Sequence, residues 1–167
     1  QAAAHWQERA KKLSAARRKA AADFAKRVTA SMQSLAMGGG AFEIALHPMS
    51  EGNAHGLEQI EFLVAGHAGA TLLALAKVAS GGELSRISLA IQTVTSQVAA
   101  VPTLIFDEVD AGIGGRVAEI VGRMLQELGK RHQVMCVTHL PQVAAAGNQQ
   151  WQVSKSADNG KVASQVS

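Results

Sequence analysis

Thr103-Leu104-Ile105-Phe106-Asp107-Glu108 is a short apolar run that ends in two neighbouring carboxylates, with Pro102 directly before it. Its lack of polar alternation predicts a strand covered on both faces, as in the middle of a parallel sheet. Ligands of parallel α/β sheets sit at the C-terminal ends of their strands, where Asp107 and Glu108 fall. One carboxylate there can hold Mg²⁺, directly or through water, and a second can orient and deprotonate an attacking water. A strand that simply ends in a polar turn accounts for the same residues, because apolar-apolar-Asp-Glu is common.

Outward from this strand, helical and extended patterns alternate. Leu84, Ile87, Ser88, Ile91, Val94 and Val98 predict an amphipathic helix from about Glu83 to Ala99. Val117, Ile120, Val121, Met124, Leu125 and Leu128 predict a second, closed by Gly129 with Lys130-Arg131 behind it. Gln133 to Val137 reads as another doubly covered strand. Helix-strand-helix-strand in this order predicts an α/β fold with an open parallel sheet flanked by helices. Trp151-Gln152-Val153 and Val162 to Val166 flank Asp158-Asn159-Gly160, a hairpin turn pattern.

Towards the N-terminus the pattern changes. Residues 1 to 37 hold no Gly or Pro and predict one long helix, ended by Gly38-Gly39-Gly40. Trp6, Ala10, Leu13, Ala20 and Phe24 follow a 3.5-residue register, with Arg17 in one slot, before the seam slips to Val28, Met32 and Leu35. Such a seam predicts a coiled-coil strand whose partner helix lies outside this chain. Phe42, Ile44 and Leu46, then Ile60, Phe62 and Val64, alternate with period two. They predict two half-buried strands joined by a polar loop around Gly52-Asn53.

Composition narrows the class. A chain of 167 residues with 47% hydrophobic residues can form one domain with a sizeable core. The lone Cys136 excludes a disulfide framework within the chain and suits a reducing cytosol, while no apolar stretch approaches the ~20 residues that span a bilayer. Residues 1–27 carry eight Lys/Arg against Glu8 and Asp23, a local +6, and the remainder sums to −3. A basic arm on a mildly acidic body suits contact with DNA, although a solvated helical face explains the charge as well.

Two further segments carry candidate chemistry. Val78-Ala79-Ser80-Gly81-Gly82-Glu83 is a Gly-rich turn opening into a helix, where first-turn N–H groups and the helix dipole favour phosphate. A plain N-cap by Ser80 accounts for the same four residues, Ser80 to Glu83. His139 follows the strand ending at Val137 and reaches the edge of Asp107 and Glu108 if the two strands are neighbours. The histidines and the single cysteine show no zinc-ligand spacing.

Order and spacing join these weak signals: Asp107 lies 25 residues after Gly82, and His139 lies 31 after Glu108. In this arrangement the chain resembles the SMC-like branch of the ABC ATPases, a P-loop NTPase fold. Ser80 to Glu83 look like the signature motif, Leu104 to Glu108 like the Walker B strand, Val109 to Gly115 like the D-loop and His139 like the switch histidine. Leu75 to Arg86, Ile105 to Ile113 and Cys136 to Ala144 are closely similar to bacterial DNA-repair members of that branch, within a resemblance spanning roughly residues 57 to 155.

The resemblance implies the C-terminal half of an ABC-type head (residues 38–167) after a returning coiled-coil helix (residues 1–37). It implies ATP and Mg²⁺ as cofactors, with Asp107 on the metal and Glu108 as the base that activates water. His139 would touch the γ-phosphate, Asp110 would lie at a dimer interface, and Ser80, Gly81, Gly82 and Glu83 would meet ATP held by a second head. No Gly-x-x-x-x-Gly-Lys-Ser/Thr occurs in the chain, so the Walker A loop would come from the N-terminal half of the head. Expected partners are that half, a second head in an ATP-sandwiched homodimer, DNA and the recombinase RecA, in the bacterial cytoplasm at the nucleoid. A general SMC-type chromosome-organising ATPase, a transporter ATPase and a non-catalytic DNA-binding module stand as alternatives.

Overall fold

The computed structural model describes residues 1–98, 101–158 and 161–167. Helix α1 (Ala2–Gln33) leads into a long antiparallel hairpin, β1 (Ala41–Asn53) and β2 (Gly56–Ala65), with the short β3 (Leu73–Ala74) on its edge. A single 3-10 turn, Leu75–Lys77, precedes helix α2 (Gly81–Thr95). Strand β4 (Thr103–Phe106), helix α3 (Gly115–Leu128) and strand β5 (Gln133–Cys136) form a β-α-β unit whose strands pair in parallel, Thr103 against Gln133 through Phe106 against Cys136. Helix α4 (Pro141–Ala144) follows, then the hairpin β6 (Val153–Asp158) and β7 (Lys161–Val166).

Along helix α1 the β1–β2 hairpin covers part of the seam, while Trp6 and Leu13 stay 37% and 41% exposed. The Trp6 ring covers Gly52, Leu13 and Arg17 lie over Gly56, and Phe24 meets Phe42 edge-on at 6.1 Å between ring centroids. Thr29 pins the junction, since its hydroxyl accepts from Phe42 N at 2.9 Å and donates to Phe42 O at 3.3 Å. Val28, Met32 and Leu35 then enter the same core as Ile87, Phe106 and Val121. The helical period shows which α1 residues share a face, whereas the opposing surface arrives from residues 13 to 46 positions away. Gly40 permits the entry into β1: a Cβ there would stand 2.6 Å from the Ala65 carbonyl oxygen.

The strands of the hairpin run further than their alternating cores. Register holds from Ala41–Ala65 to Pro48–Glu58, breaks after Pro48, which has no N–H to give, and resumes at Asn53–Gly56. Asn53 Oδ1 accepts from His55 N at 2.7 Å and closes the turn.

Around the parallel pair the fold class stands and two details change. Helix α2 ends at Thr95, and Ala99 lies outside the described residues, as do Asn159 and Gly160 of the expected hairpin turn. The buried stripe of α2 runs through Gly82, Arg86, Ile87, Leu89 and Ala90, so Leu84 is 42% exposed. Leu104 and Phe106 are buried against the helices, but the opposite face is bare, with Ile105 69% exposed beside Met135 and Val137. Among the described residues the second cover is absent, because both packed helices, α2 and α3, reach the same core from one side.

Candidate nucleotide-facing edge

Because β4 and β5 pair in parallel and in register, the residues following them emerge at one edge. Asp107 follows Phe106, and Val137 N–H donates to the Phe106 carbonyl at 2.9 Å, carrying the pairing one step toward His139. Asp107, Glu108 and His139 are therefore brought together at the strand ends, as their spacing predicts. Asp107 is exposed, and its Oδ1 accepts from Glu108 N at 2.9 Å, leaving Oδ2 free of protein donors among the described residues. Glu108 adopts φ 57°, a left-handed backbone uncommon for a non-glycine residue, and its carbonyl accepts from Ala111 N at 3.0 Å. This turn swings the Glu108 side chain toward the start of α2.

There the Ser80 hydroxyl caps α2, accepting from Glu83 N at 3.3 Å. Ser80 and Gly81 are exposed to solvent, whereas Gly82 is buried. The Glu108 Oε2 atom occupies the space that a Cβ at Gly81 would need, so any side chain at Gly81 would displace that carboxylate. The Gly-rich turn and the carboxylate-bearing strand end thus touch within one chain. Glu83 makes internal contacts: its carboxylate faces Gly66 and lies close enough to Arg86 to favour that guanidinium's charge.

Asp110 is held inside the single chain, with its side chain 3% exposed. Its Oδ2 accepts from the Thr138 hydroxyl and from His139 N at 3.0 Å, and stands 3.4 Å from His139 Nδ1. Burial alone would raise its pKa. The hydrogen bonds from Thr138 and the His139 amide, with the nearby imidazole, outweigh burial and hold the carboxyl below the usual carboxylate range. The ionised form is thus favoured on folding, so its stabilisation is complete above about pH 3.9 and is lost as the pH falls through the lower native value. Asp110→Asn is expected to flatten the acid limb of a urea-midpoint profile below about pH 4; unchanged curvature would remove Asp110 as its source.

Thr138 and Arg86 were not legible as site residues. Arg86 is 7% exposed, donates from Nη1 to the Ala111 carbonyl at 2.7 Å, and has a guanidinium pKa lowered by burial against the favourable charge of Glu83. Its place on the buried stripe, four residues after Gly82, was the available signal. Cys136 is pushed up to about 11 by burial and by the charges of Asp110 and Asp107, so it is a thiol and not a nucleophile at neutral pH. Among the described residues no three His, Cys, Asp or Glu cluster to hold a metal alone. The exposed Asp107 carboxylate fits Mg²⁺, which commonly takes one or two carboxylates and completes its shell with water and phosphate oxygens.

Comparison with known proteins accords with this geometry. The DNA repair protein RecN of Xylella fastidiosa is 50% identical over 152 residues, covering 90% of this chain and 27% of that protein. RecN of Haemophilus influenzae is 49% identical over 86% of the chain, and RecN of Vibrio cholerae is 46% identical over 94%, covering 26% and 28% of those proteins. Over most of its length the chain is thus similar to one segment of RecN proteins. It spans about a quarter of the length of the RecN proteins it matches. No protein-family model matches it. Its fold is similar to the Smc head with coiled coil and joint of Pyrococcus yayanosii, at TM-score 0.64 and 22% identity over 96% of this chain and 29% of that one. It is also similar to the Pyrococcus furiosus Smc head, at TM-score 0.58 and 19% identity over 86% of this chain and 34% of that one. These structures support an SMC-head α/β lobe as the fold.

Proposed function

We propose that this RecN-like chain forms the signature-bearing half of an ATP-hydrolysing SMC-like head acting in recombinational repair of DNA double-strand breaks. The contact of the Ser80–Gly82 turn with Glu108, at the edge shared with Asp107 and His139, carries the reading. Exposed Ser80 and Gly81 present a capped helix start to a phosphate on a second head. Glu108 accepts the proton of an attacking water, Asp107 offers the free Oδ2 to Mg²⁺, and His139 contacts the γ-phosphate. Bound Mg²⁺ would neutralise charge on the transferring phosphate. The phosphate-cradling Gly-x-x-x-x-Gly-Lys-Ser/Thr loop lies outside residues 1–167, so a complete site needs that segment and a second head. ATP would then act as a removable link between heads, its γ-phosphate closing the dimer and hydrolysis releasing it. Among the described residues no helix is long and apolar enough to cross a membrane; a cytoplasmic, nucleoid-associated site and RecA as partner belong to the same proposal. RecN identities of 46–50% over most of the chain favour repair over a general chromosome-organising role. ATP turnover should appear only when the chain is combined with the loop-bearing segment, and no turnover in the combined head would overturn the reading.

The basic arm is the proposed DNA contact, with a correction to which residues are available. Arg17 and Arg18 straddle the nearly buried Glu58 at 3.6 and 3.9 Å, Lys12 pairs with Glu8 and Arg27 with Asp23. Arg9, Lys11, Lys19 and Lys26 are exposed without an ion-pair partner among the described residues. Neutralising these four is expected to flatten the slope of log K against log salt for duplex DNA by roughly 3 to 4, at about 0.9 per phosphate contact. An unchanged slope would move the DNA contact elsewhere.

A further inference from the structure

Asp110 is the most deeply enclosed acid near the edge, and nothing in the proposed chemistry uses it. Two hydrogen bonds and one close approach converge on it. The Thr138 hydroxyl and the His139 amide both donate to Oδ2, and His139 Nδ1 stands 3.4 Å from the same atom. Thr138 Oγ1 in turn accepts from Leu140 N at 3.1 Å, so one carboxylate oxygen and one hydroxyl fix the whole turn 138–140. The imidazole beyond this anchor is 71% exposed and otherwise unconfined. On its other side Asp110 is continuous with Ala111, whose carbonyl receives the buried Arg86 and whose Cβ lies 2.9 Å from where a Cβ on Gly82 would stand. A chain of direct contacts thus runs from the start of α2 through Arg86 and Ala111 to Asp110 and His139.

We propose that Asp110 is a positioning residue: its buried carboxylate clamps the Thr138–His139 turn and holds the imidazole with Nδ1–H inward and Nε2 at the strand-end edge. A carboxylate at Nδ1 favours the tautomer that keeps its proton on that nitrogen, as in other carboxylate–imidazole pairs. The wall of the clamp is rigid because Ala111 is held by Arg86 and packed on Gly82. Shifting the α2 start therefore moves the group that aims His139. The effect on turnover rests on the ATPase reading above, whereas the tautomer does not.

The test uses the full-length protein with ¹⁵N-labelled histidine and His139→Gln for assignment. Wild type is expected to show His139 as the Nδ1–H form, and D110A to move it toward Nε2–H. D110N keeps the side-chain shape, and a cooperative melt lowered by no more than the lost carboxylate stabilisation separates loss of aim from loss of fold. In turnover assays D110A is expected to fall at least tenfold, and D110A with H139A to be no slower than H139A alone, because Asp110 acts through that ring. His139 ring signals identical in wild type, D110A and D110N overturn the proposal, as does a double variant slower than H139A by the full D110A factor. An altered tautomer with H139A turning over normally supports the clamp and instead removes the γ-phosphate role given to His139.

Discussion

Glu108→Gln is expected to lower ATP turnover of the combined head by about 10²- to 10⁴-fold, the usual contribution of a positioned general base. That loss corresponds to about 2.7–5.4 kcal/mol of barrier at ~1.36 kcal/mol per tenfold. Gln keeps the length and planarity of Glu and removes only the ability to take a proton. The backbone that aims it is set elsewhere: φ 57° at position 108, with the amide bonded to Asp107 and the carbonyl to Ala111. Nucleotide binding should therefore survive while hydrolysis stops, and the ATP-bound dimer should accumulate in sedimentation. Equal turnover by wild type and variant would take Glu108 out of the chemistry.

Phe42→Ala is expected to destabilise the chain by about 3–5 kcal/mol, the range for a fully buried aromatic truncated in a core. Against a typical total of about 5–15 kcal/mol, that is a large fraction. Phe42 is buried, packs on Phe24 at 6.1 Å and on Phe62 at 5.6 Å, and sits where α1 joins the hairpin. Both its main-chain polar groups go to Thr29, so the ring cannot be replaced by a local collapse of the strand without straining those bonds. Ile105→Ala is the contrast, because a side chain on the bare sheet face loses little when shortened. Urea denaturation of both variants checks the pair, and a Phe42→Ala loss below about 1 kcal/mol would mean that α1 and the hairpin are not packed as described.

Local pattern was enough for several elements and for the placement of Asp107, Glu108 and His139 at one edge. The strand Thr103–Phe106 is bounded by Pro102 and two carboxylates, and α3 by its apolar stripe and Gly129, so both appear where their residues predict. Ser80 caps α2 because a hydroxyl before two glycines and a glutamate satisfies first-turn N–H groups wherever such a helix starts. Asp107, Glu108 and His139 share an edge because parallel pairing in register carries their strands to the same end.

Tertiary structure alone decided what these surfaces meet. Periodicity tells which side chains share a face, but a hairpin covers part of the α1 seam, and nothing among the described residues covers Ile105. Arg86 reads as a solvated helix charge and Asp110 as a loop acid until burial removes their water, after which each takes the partner within reach: a carbonyl for one, a hydroxyl and an amide for the other. Desolvation depends on atoms far away in the chain, and so composition and spacing determined the strand, the helices and the charged edge, while three-dimensional packing assigned each buried charge its work.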